Sequence, residues 1–461
     1  MNILVAAGWM WVRQNDCGNL ITKSVAKSAD MDNSIYRLRR QRVLDEMGEG
    51  VMVIATAPEV PRNRDTHYPY RHDSYFYWLT GFNEPEAVVV LVGGDKPRHI
   101  LFCREKNEER EIWDGFRYGP EAAREAFGFD ETFAYDVLDT ELPGLLENQP
   151  MLAYIIGRDM VWDTQVMGWL NTVRFRARSG VHAPSKMVDA RNWLDEMRLV
   201  KDAHELALMR RAAGISTAAH VSAMRATRPG LHEYEIEAEL LADFRRGGAE
   251  APAYNSIVAS GANACVLHYV FNNKPLRDGD LLLIDAAAEY GSYAADITRT
   301  FPVNGRFSAA QKDAYELVLA AQESAIATIR PGSRWNDTHD AAVRVLTQGL
   351  VDLKLLNGDV DGLIESEAYK RFYMHRTGHW LGMDVHDAGE YKLKGEWRTL
   401  EPGMTFTVEP GLYIRPADDV PEAFWNIGIR IEDDVAVTTD GCEVLTSPPK
   451  TVAEIEECMR G

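Results

Sequence analysis

The stretch that most constrains this chain is an apolar run interrupted by two aspartates, Leu281-Leu-Leu-Ile-Asp285-Ala-Ala-Ala-Glu-Tyr-Gly-Ser-Tyr-Ala-Ala-Asp296-Ile-Thr-Arg-Thr-Phe301. Apolar residues flank Tyr290-Gly291, the pattern of a β-hairpin. With Tyr290 and Gly291 as the two loop residues, Glu289 faces Ser292 and Asp285 faces Asp296. Opposed side chains have Cβ atoms about 4.5–5.5 Å apart, where like charges destabilise the pair. Two carboxylates buried that close need a cation or a shared proton. A divalent metal between them is one solution. A surface aspartate in a different register is the other, and the hairpin alone does not choose.

Three further stretches carry candidate ligands. Met374-His375-Arg-Thr-Gly-His379-Trp-Leu-Gly-Met-Asp-Val-His386-Asp holds three histidines in twelve positions, with glycines at 378 and 382 that let the backbone turn tightly. His375 and His379 have the spacing of two zinc ligands on one helical turn. Arg376 follows the first of them, so the general-base glutamate of H-E-x-x-H zinc proteases is absent. Thr405-Phe-Thr-Val-Glu409-Pro-Gly reads as a strand ending at a glutamate. Ile427-Gly-Ile-Arg430-Ile-Glu432-Asp-Asp-Val435 alternates, with the isoleucines on one face and Arg430 and Glu432 on the other. Taken alone, that pair also fits an exposed ion pair on an edge strand.

Together these give two aspartates, two glutamates and a histidine. The set suits two hard or borderline divalent ions such as Mn2+, Co2+ or Zn2+. A pair of such ions can deprotonate a bridging water and stabilise a tetrahedral intermediate.

Length places this chemistry within a larger plan, since 461 residues exceed one ordinary core and point to two domains. From about Met31 to Trp193 the pattern is mixed α/β, with short buried strands at 51–57, 87–93 and 152–157 and a helical stretch at Lys106–Trp113. A helix opening at Met31 presents Ile35, Leu38, Val43 and Met47 as its apolar face. Asp202-Ala-His-Glu205 has the form of a capping box and starts a helix ending before Pro229-Gly230, and a second helix runs from His232 to Arg246. The expected divisions are an extension at 1–30, disordered and dispensable, a supporting domain at 31–193 and a catalytic domain at 194–461.

A formal net charge of −20 argues against nucleic acid or anionic membrane as partner. Five scattered cysteines form no disulfide framework and fit a reducing, cytoplasmic setting. No apolar run approaches the roughly 20 residues needed to cross a bilayer.

With these motifs in order and at similar spacing, the sequence resembles the Xaa-Pro aminopeptidases (aminopeptidase P) of the creatinase-like, or pita-bread, metallopeptidases. Tyr68-Pro-Tyr-Arg-His-Asp through Val88 is also similar to the N-terminal domain of the bacterial members. The resemblance implies an α/β fold, with a creatinase-type N-terminal domain before a pita-bread catalytic domain. It implies metal ligands Asp285, Asp296, His379, Glu409 and Glu432, with Asp296 and Glu432 on both ions and Glu409 doubling as proton shuttle. His268 and His386 match two substrate-side histidines that orient the peptide and stabilise the oxyanion. Arg430, Tyr413 and His375 match neighbouring positions. Trp113 matches a residue that reaches a neighbouring subunit's active site, which implies a homodimer or homotetramer. The implied substrates are peptides with proline in second position. Ala287, Ala288, Arg376 and Thr377 depart from the family pattern without removing a ligand, and bear on substrate preference. A prolidase restricted to Xaa-Pro dipeptides and a non-catalytic pita-bread module that binds peptides are the competing readings.

Overall fold

A computed structural model describes residues 33–460, so the extension at 1–30 lies outside the described residues. The chain divides between Asp189 and Ala190 into two compact units. Among the described residues no helix is long and apolar enough to cross a membrane.

The first unit is built on a six-stranded sheet. Its strands are β1 (Val51–Ala55), β2 (Val88–Val92), β3 (Arg98–Cys103), β4 (Glu131–Ala134), β5 (Met151–Tyr154) and β6 (Lys186–Asp189), in the spatial order β4-β3-β2-β1-β5-β6. β1 pairs antiparallel with β2, Val51 opposite Val92, and parallel with β5. The central strands are apolar at nearly every position because both faces are covered. Helix α1 (Ser34–Met47) forms as expected but is rotated. Its buried residues are Tyr36, Arg39, Arg40, Val43, Leu44 and Met47, whereas Leu38 is 67% exposed. Two arginines cause the rotation. Arg40 donates to Leu79 O at 3.0 Å, Phe127 O at 2.9 Å and Gly128 O at 2.8 Å, and Arg39 donates to Trp78 O at 3.3 Å. These carbonyls end the helices Ser74–Thr80 and Gly119–Phe127, whose last turns lack internal donors. Hydrophobic periodicity counts arginine as a surface residue and so misplaces the face. Helix α2 (Glu108–Asp114) carries Trp113.

In the second unit, α3 (Ala203–Ala226) opens with the expected reciprocal capping box of Asp202 and Glu205. Helix α4 (Glu233–Arg246) follows. Strand β7 (Ile257–Ser260) then pairs with the hairpin, formed by β8 (Leu281–Asp285), β9 (Ala288–Tyr290), β10 (Tyr293–Ala294) and β11 (Thr298–Pro302).

The hairpin corrects the expected register. Tyr290 pairs with Tyr293 and Glu289 with Ala294, so Gly291 and Ser292 form the loop, and Asp285 faces Thr298 instead of Asp296. Both loop residues have positive φ, 57° and 68°, as a two-residue turn of type I′ requires. That turn's twist matches the flanking strands, and it places the loop one residue later than expected from the sequence. Asp285 and Asp296 remain on one face, as diagonal neighbours.

Farther along, β12 (Thr405–Val408) pairs with β15 (Asp433–Val437), and β13 (Gly411–Ile414) with β14 (Ile427–Arg430). Thr300 fastens β11 to β14, donating from Oγ1 to Arg430 O at 3.0 Å and accepting from Arg430 N at 3.2 Å. All four candidate carboxylates thus sit at or just beyond strand ends of one core.

Candidate metal centre

Each candidate ligand is fixed by backbone bonding that its own sequence makes possible. Residues 374–391 are irregular, not helical, so His375 and His379 are not a pair on one helical turn. The segment is instead stitched alongside β12: Glu409 N donates to Thr377 O at 2.8 Å, Thr407 N to His379 O at 3.0 Å, and Leu381 N to Thr405 O at 3.1 Å. A Cβ at Gly378 would lie 1.9 Å from Thr407 O, so only glycine permits this approach. The stitching sets His379 beside Glu409, with 3.6 Å between Nε2 and Oε1. His379 Nδ1 donates to Trp380 O at 3.0 Å, which leaves Nε2 facing Asp296 Oδ2 at 3.5 Å.

Asp296, His379 and Glu432 each offer a ligand atom, all within 4.8 Å of one another. Glu432 Oε2 accepts from Thr298 Oγ1 at 2.6 Å, and Asp296 N donates to the buried carboxylate of Asp434 at 3.1 and 3.2 Å. Asp285 Oδ2 accepts from Arg430 Nη2 at 2.5 Å, while its Oδ1 is buried with no hydrogen-bond partner. Arg430 is therefore not in an exposed pair with Glu432. It is buried and joined to Asp285.

The electrostatics are those of a site with more buried carboxylates than cations to balance them. Burial raises the carboxyl of Asp296, and raises Glu432 well above the usual range, with the charges of Asp296, Glu409 and Asp285 adding to the effect. Burial also pushes Glu409 up to about 7, against the pull of His379 and Arg430. On His379 burial opposes charge, but the bond to Asp296 and the charge of Glu409 outweigh it and raise the imidazole to about 9. An orphaned carboxylate oxygen and several oxygen donors that resist ionising together fit divalent cations. Among the described residues, no cysteine joins this group.

His375, Tyr413 and Arg430 form a directed chain. His375 Nδ1 donates to Arg376 O at 2.8 Å, so its Nε2 accepts from the Tyr413 hydroxyl at 2.8 Å. That hydroxyl in turn accepts from Arg430 Nη1 at 3.0 Å. Burial lowers His375 to about 3, which keeps the chain's polarity fixed.

His375, Arg430 and the five candidate ligands line a cavity of about 940 Å³ that also takes in His268, His386 and Tyr254, with Tyr413 buried behind His375. The rings of His386 and His379 meet edge to face at 4.3 Å. Burial lowers His386, and the charges of His379 and His268 lower it further. The loop bearing His268 is tied down by Glu233, which accepts from Ser260, Asn263, Tyr269 and Lys274 at 2.8–2.9 Å. The structure thus gathers every candidate named from sequence around one cavity except Trp113, which lies in the first unit and is 82% exposed. Sequence reasoning missed Tyr254, Thr298 and Asp434. Tyr254 beside Asp296 carries no sequence signal, whereas Thr298 shares the strand face of Asp296 and Asp434 directly follows the Glu432-Asp433 pair.

A cavity walled by buried carboxylates and imidazoles, with the chemistry of a divalent-metal site, defines a metal-dependent hydrolase. The comparisons with known proteins are more specific. The model of metallopeptidase family M24 matches residues 207–439, and that of the aminopeptidase P N-terminal domain matches residues 36–154. The Xaa-Pro aminopeptidase of Escherichia coli (strain K12) is 45% identical over 435 residues, covering 94% of this chain and 98% of that protein. The structure of Pseudomonas aeruginosa aminopeptidase PepP superposes with a TM-score of 0.92 at 52% identity, covering 93% of this chain and 98% of that one. A zinc-substituted E. coli aminopeptidase P in complex with product superposes at 0.91 and 45% identity, with 93% and 98% covered. The chain belongs to metallopeptidase family M24, in its Xaa-Pro aminopeptidase branch. It is an enzyme with a divalent-metal centre, and the reading as a non-catalytic module is set aside.

Proposed function

We propose that the chain removes the first residue of peptides whose second residue is proline, using two divalent ions. The observation that supports it best is the buried group of Asp296, His379 and Glu432, bordered by Glu409 and Asp285, in a chain so similar to Xaa-Pro aminopeptidases. Asp285, Asp296, His379, Glu409 and Glu432 would hold the ions, Asp296 and Glu432 sharing both. Oxygen-rich donors without thiolate favour Mn2+, with Co2+ or Zn2+ as alternatives. Bound there, such ions supply the positive charge that makes a water nucleophilic and polarises the scissile carbonyl.

The chain's own residues do the rest. Glu409, at the border of the ligand group, would take the proton of the attacking water and return it to the departing proline nitrogen. His268 and His386 orient the peptide and donate to the carbonyl oxygen as charge develops on it. Arg430 holds Asp285 and Tyr413, and Tyr413 holds His375, so these three act by position. A proline in second position offers no N–H, so the site must read ring shape and flanking carbonyls.

We assign this chemistry to residues 194–461 and a supporting role to residues 31–193. Assembly into a homodimer or homotetramer, with the exposed Trp113 at a subunit contact, and a cytoplasmic setting complete the proposal. Light scattering tests the assembly, and a monodisperse monomer with full turnover would refute it.

The specificity test compares kcat/KM for Ala-Pro-Ala, Ala-Ala-Ala and Ala-Pro under equal Mn2+ loading. Ala-Pro-Ala should be fastest. Faster cleavage of Ala-Pro would indicate a prolidase, and faster cleavage of Ala-Ala-Ala would overturn the proline assignment. Chelation should abolish activity and Mn2+ should restore it best.

A further inference from the structure

Two cations on the cavity wall have no part in the chemistry described so far. Arg376 and Lys392 line the same cavity as the candidate ligands, and both pack on the ring of Trp397, also a lining residue. The Arg376 guanidinium carbon lies 4.9 Å from the ring centroid and Lys392 Nζ lies 4.2 Å from it. Arg376 also donates to the side-chain oxygen of Asn336. Among the described residues neither cation pairs with a carboxylate, although the chain carries 70 acidic residues against 50 basic ones.

Holding two like charges on one indole costs repulsion, which the ring's negative face offsets only in part. An anion at the site would relieve it. Both groups are exposed within the cavity and fixed by the ring, so they are available and preorganised for a ligand. Arg376 supplies a planar fork that matches a carboxylate, and Lys392 a compact second charge. A peptide is a suitable occupant, since its amino end must lie at the acidic centre where the first bond is cut.

We propose that Arg376, Lys392 and Trp397 form a carboxylate-binding subsite for the distal part of the substrate. This rests on the aminopeptidase reading above and adds a preference to it. The carboxylate comes either from the free C-terminus of a short peptide or from an acidic side chain.

The test compares matched substrates: Ala-Pro-Ala against Ala-Pro-Ala amide for the terminal carboxylate, and Ala-Pro-Glu amide against Ala-Pro-Gln amide for the side chain. In the wild-type chain the anionic member of at least one pair should have a KM about tenfold lower, as losing one charge-assisted contact implies. In the R376Q/K392Q variant, checked for an unchanged melting temperature, that ratio should collapse towards one. Which pair collapses identifies the source of the carboxylate. Equal KM values within both pairs of the wild-type chain, or a ratio that survives in the variant, would overturn the subsite. If no Ala-Pro peptide is cleaved, the aminopeptidase reading fails, and calorimetric binding of the same pairs still decides the subsite.

Discussion

At the scale of single residues, the centre separates groups that hold charge from groups that hold position. Asp285→Asn and Glu432→Gln keep side-chain volume but replace an anionic donor with a neutral amide. Each should lower kcat at least a hundredfold and reduce metal content, with the circular dichroism spectrum unchanged. His386→Ala should lower kcat by about 10²–10³ while metal content stays near normal, because its work is on the developing oxyanion. Metal analysis and kinetics on the same preparations check both, and loss of both ions in His386→Ala would move that histidine among the ligands. A different titration governs the first unit. His99 is buried, and burial together with the charge of Arg40 lowers its imidazole to about 4. Unfolded, it titrates near 6.5. Above that pH both states are neutral and the residue costs nothing. Between about 6.5 and 4 only the unfolded chain binds the proton, so stability falls by up to about 1.4 kcal/mol per pH unit. Hydrogen exchange of the β3 amides should show this acid loss in the wild-type chain and much less in His99→Gln.

Among elements, the irregular segment at 374–391 is held by its backbone bonds to β12 up to Leu381 and, beyond that residue, by side-chain anchors. Asp387, next to His386, accepts from Lys201 Nζ at 2.8 Å and Arg198 Nη2 at 2.6 Å, with all three almost fully buried. Asp387→Asn should cost about 3–5 kcal/mol, because the buried Lys201 loses its charge partner and Arg198 loses one of its two carboxylates, keeping Asp384. A melting curve measures the loss, and an unshifted midpoint would show that the cluster carries no weight. Such anchors explain what was legible in the sequence. Strands β1, β2, β5 and β8 were read from apolar runs, and α3 from its capping box, because those signals are local. The face of α1 was misjudged because Arg39 and Arg40 are satisfied by carbonyls far along the chain. The hairpin loop was misplaced by one residue because Tyr290 was counted in the turn, whereas it pairs with Tyr293 as a strand former and leaves Gly291-Ser292, two turn formers, as the loop. Four of the five ligand candidates stood out as carboxylates in apolar strands. Tyr254 did not, since only the folded chain brings it beside Asp296, and Asp434 was passed over although it adjoins Glu432-Asp433.

Across the whole chain, the centre draws on pieces that lie far apart in sequence but enter one core, and this affects the order in which it is made. Asp285 and Asp296 belong to a single hairpin, a structure that forms within about 1–10 μs in small systems. Glu409 and Glu432 come more than a hundred residues later, on strands whose pairing closes long loops. On these grounds the first two carboxylates are expected to meet while water still screens them, an order that φ-values higher in the hairpin than at Thr300 would check. Desolvation would then follow as β14 is fastened over β11 through Thr300. In that order the repulsion between the aspartates would be felt late, after the topology is set, so removing it by Asp285→Asn should change the unfolding rate while the refolding rate stays within about twofold of the wild-type chain's.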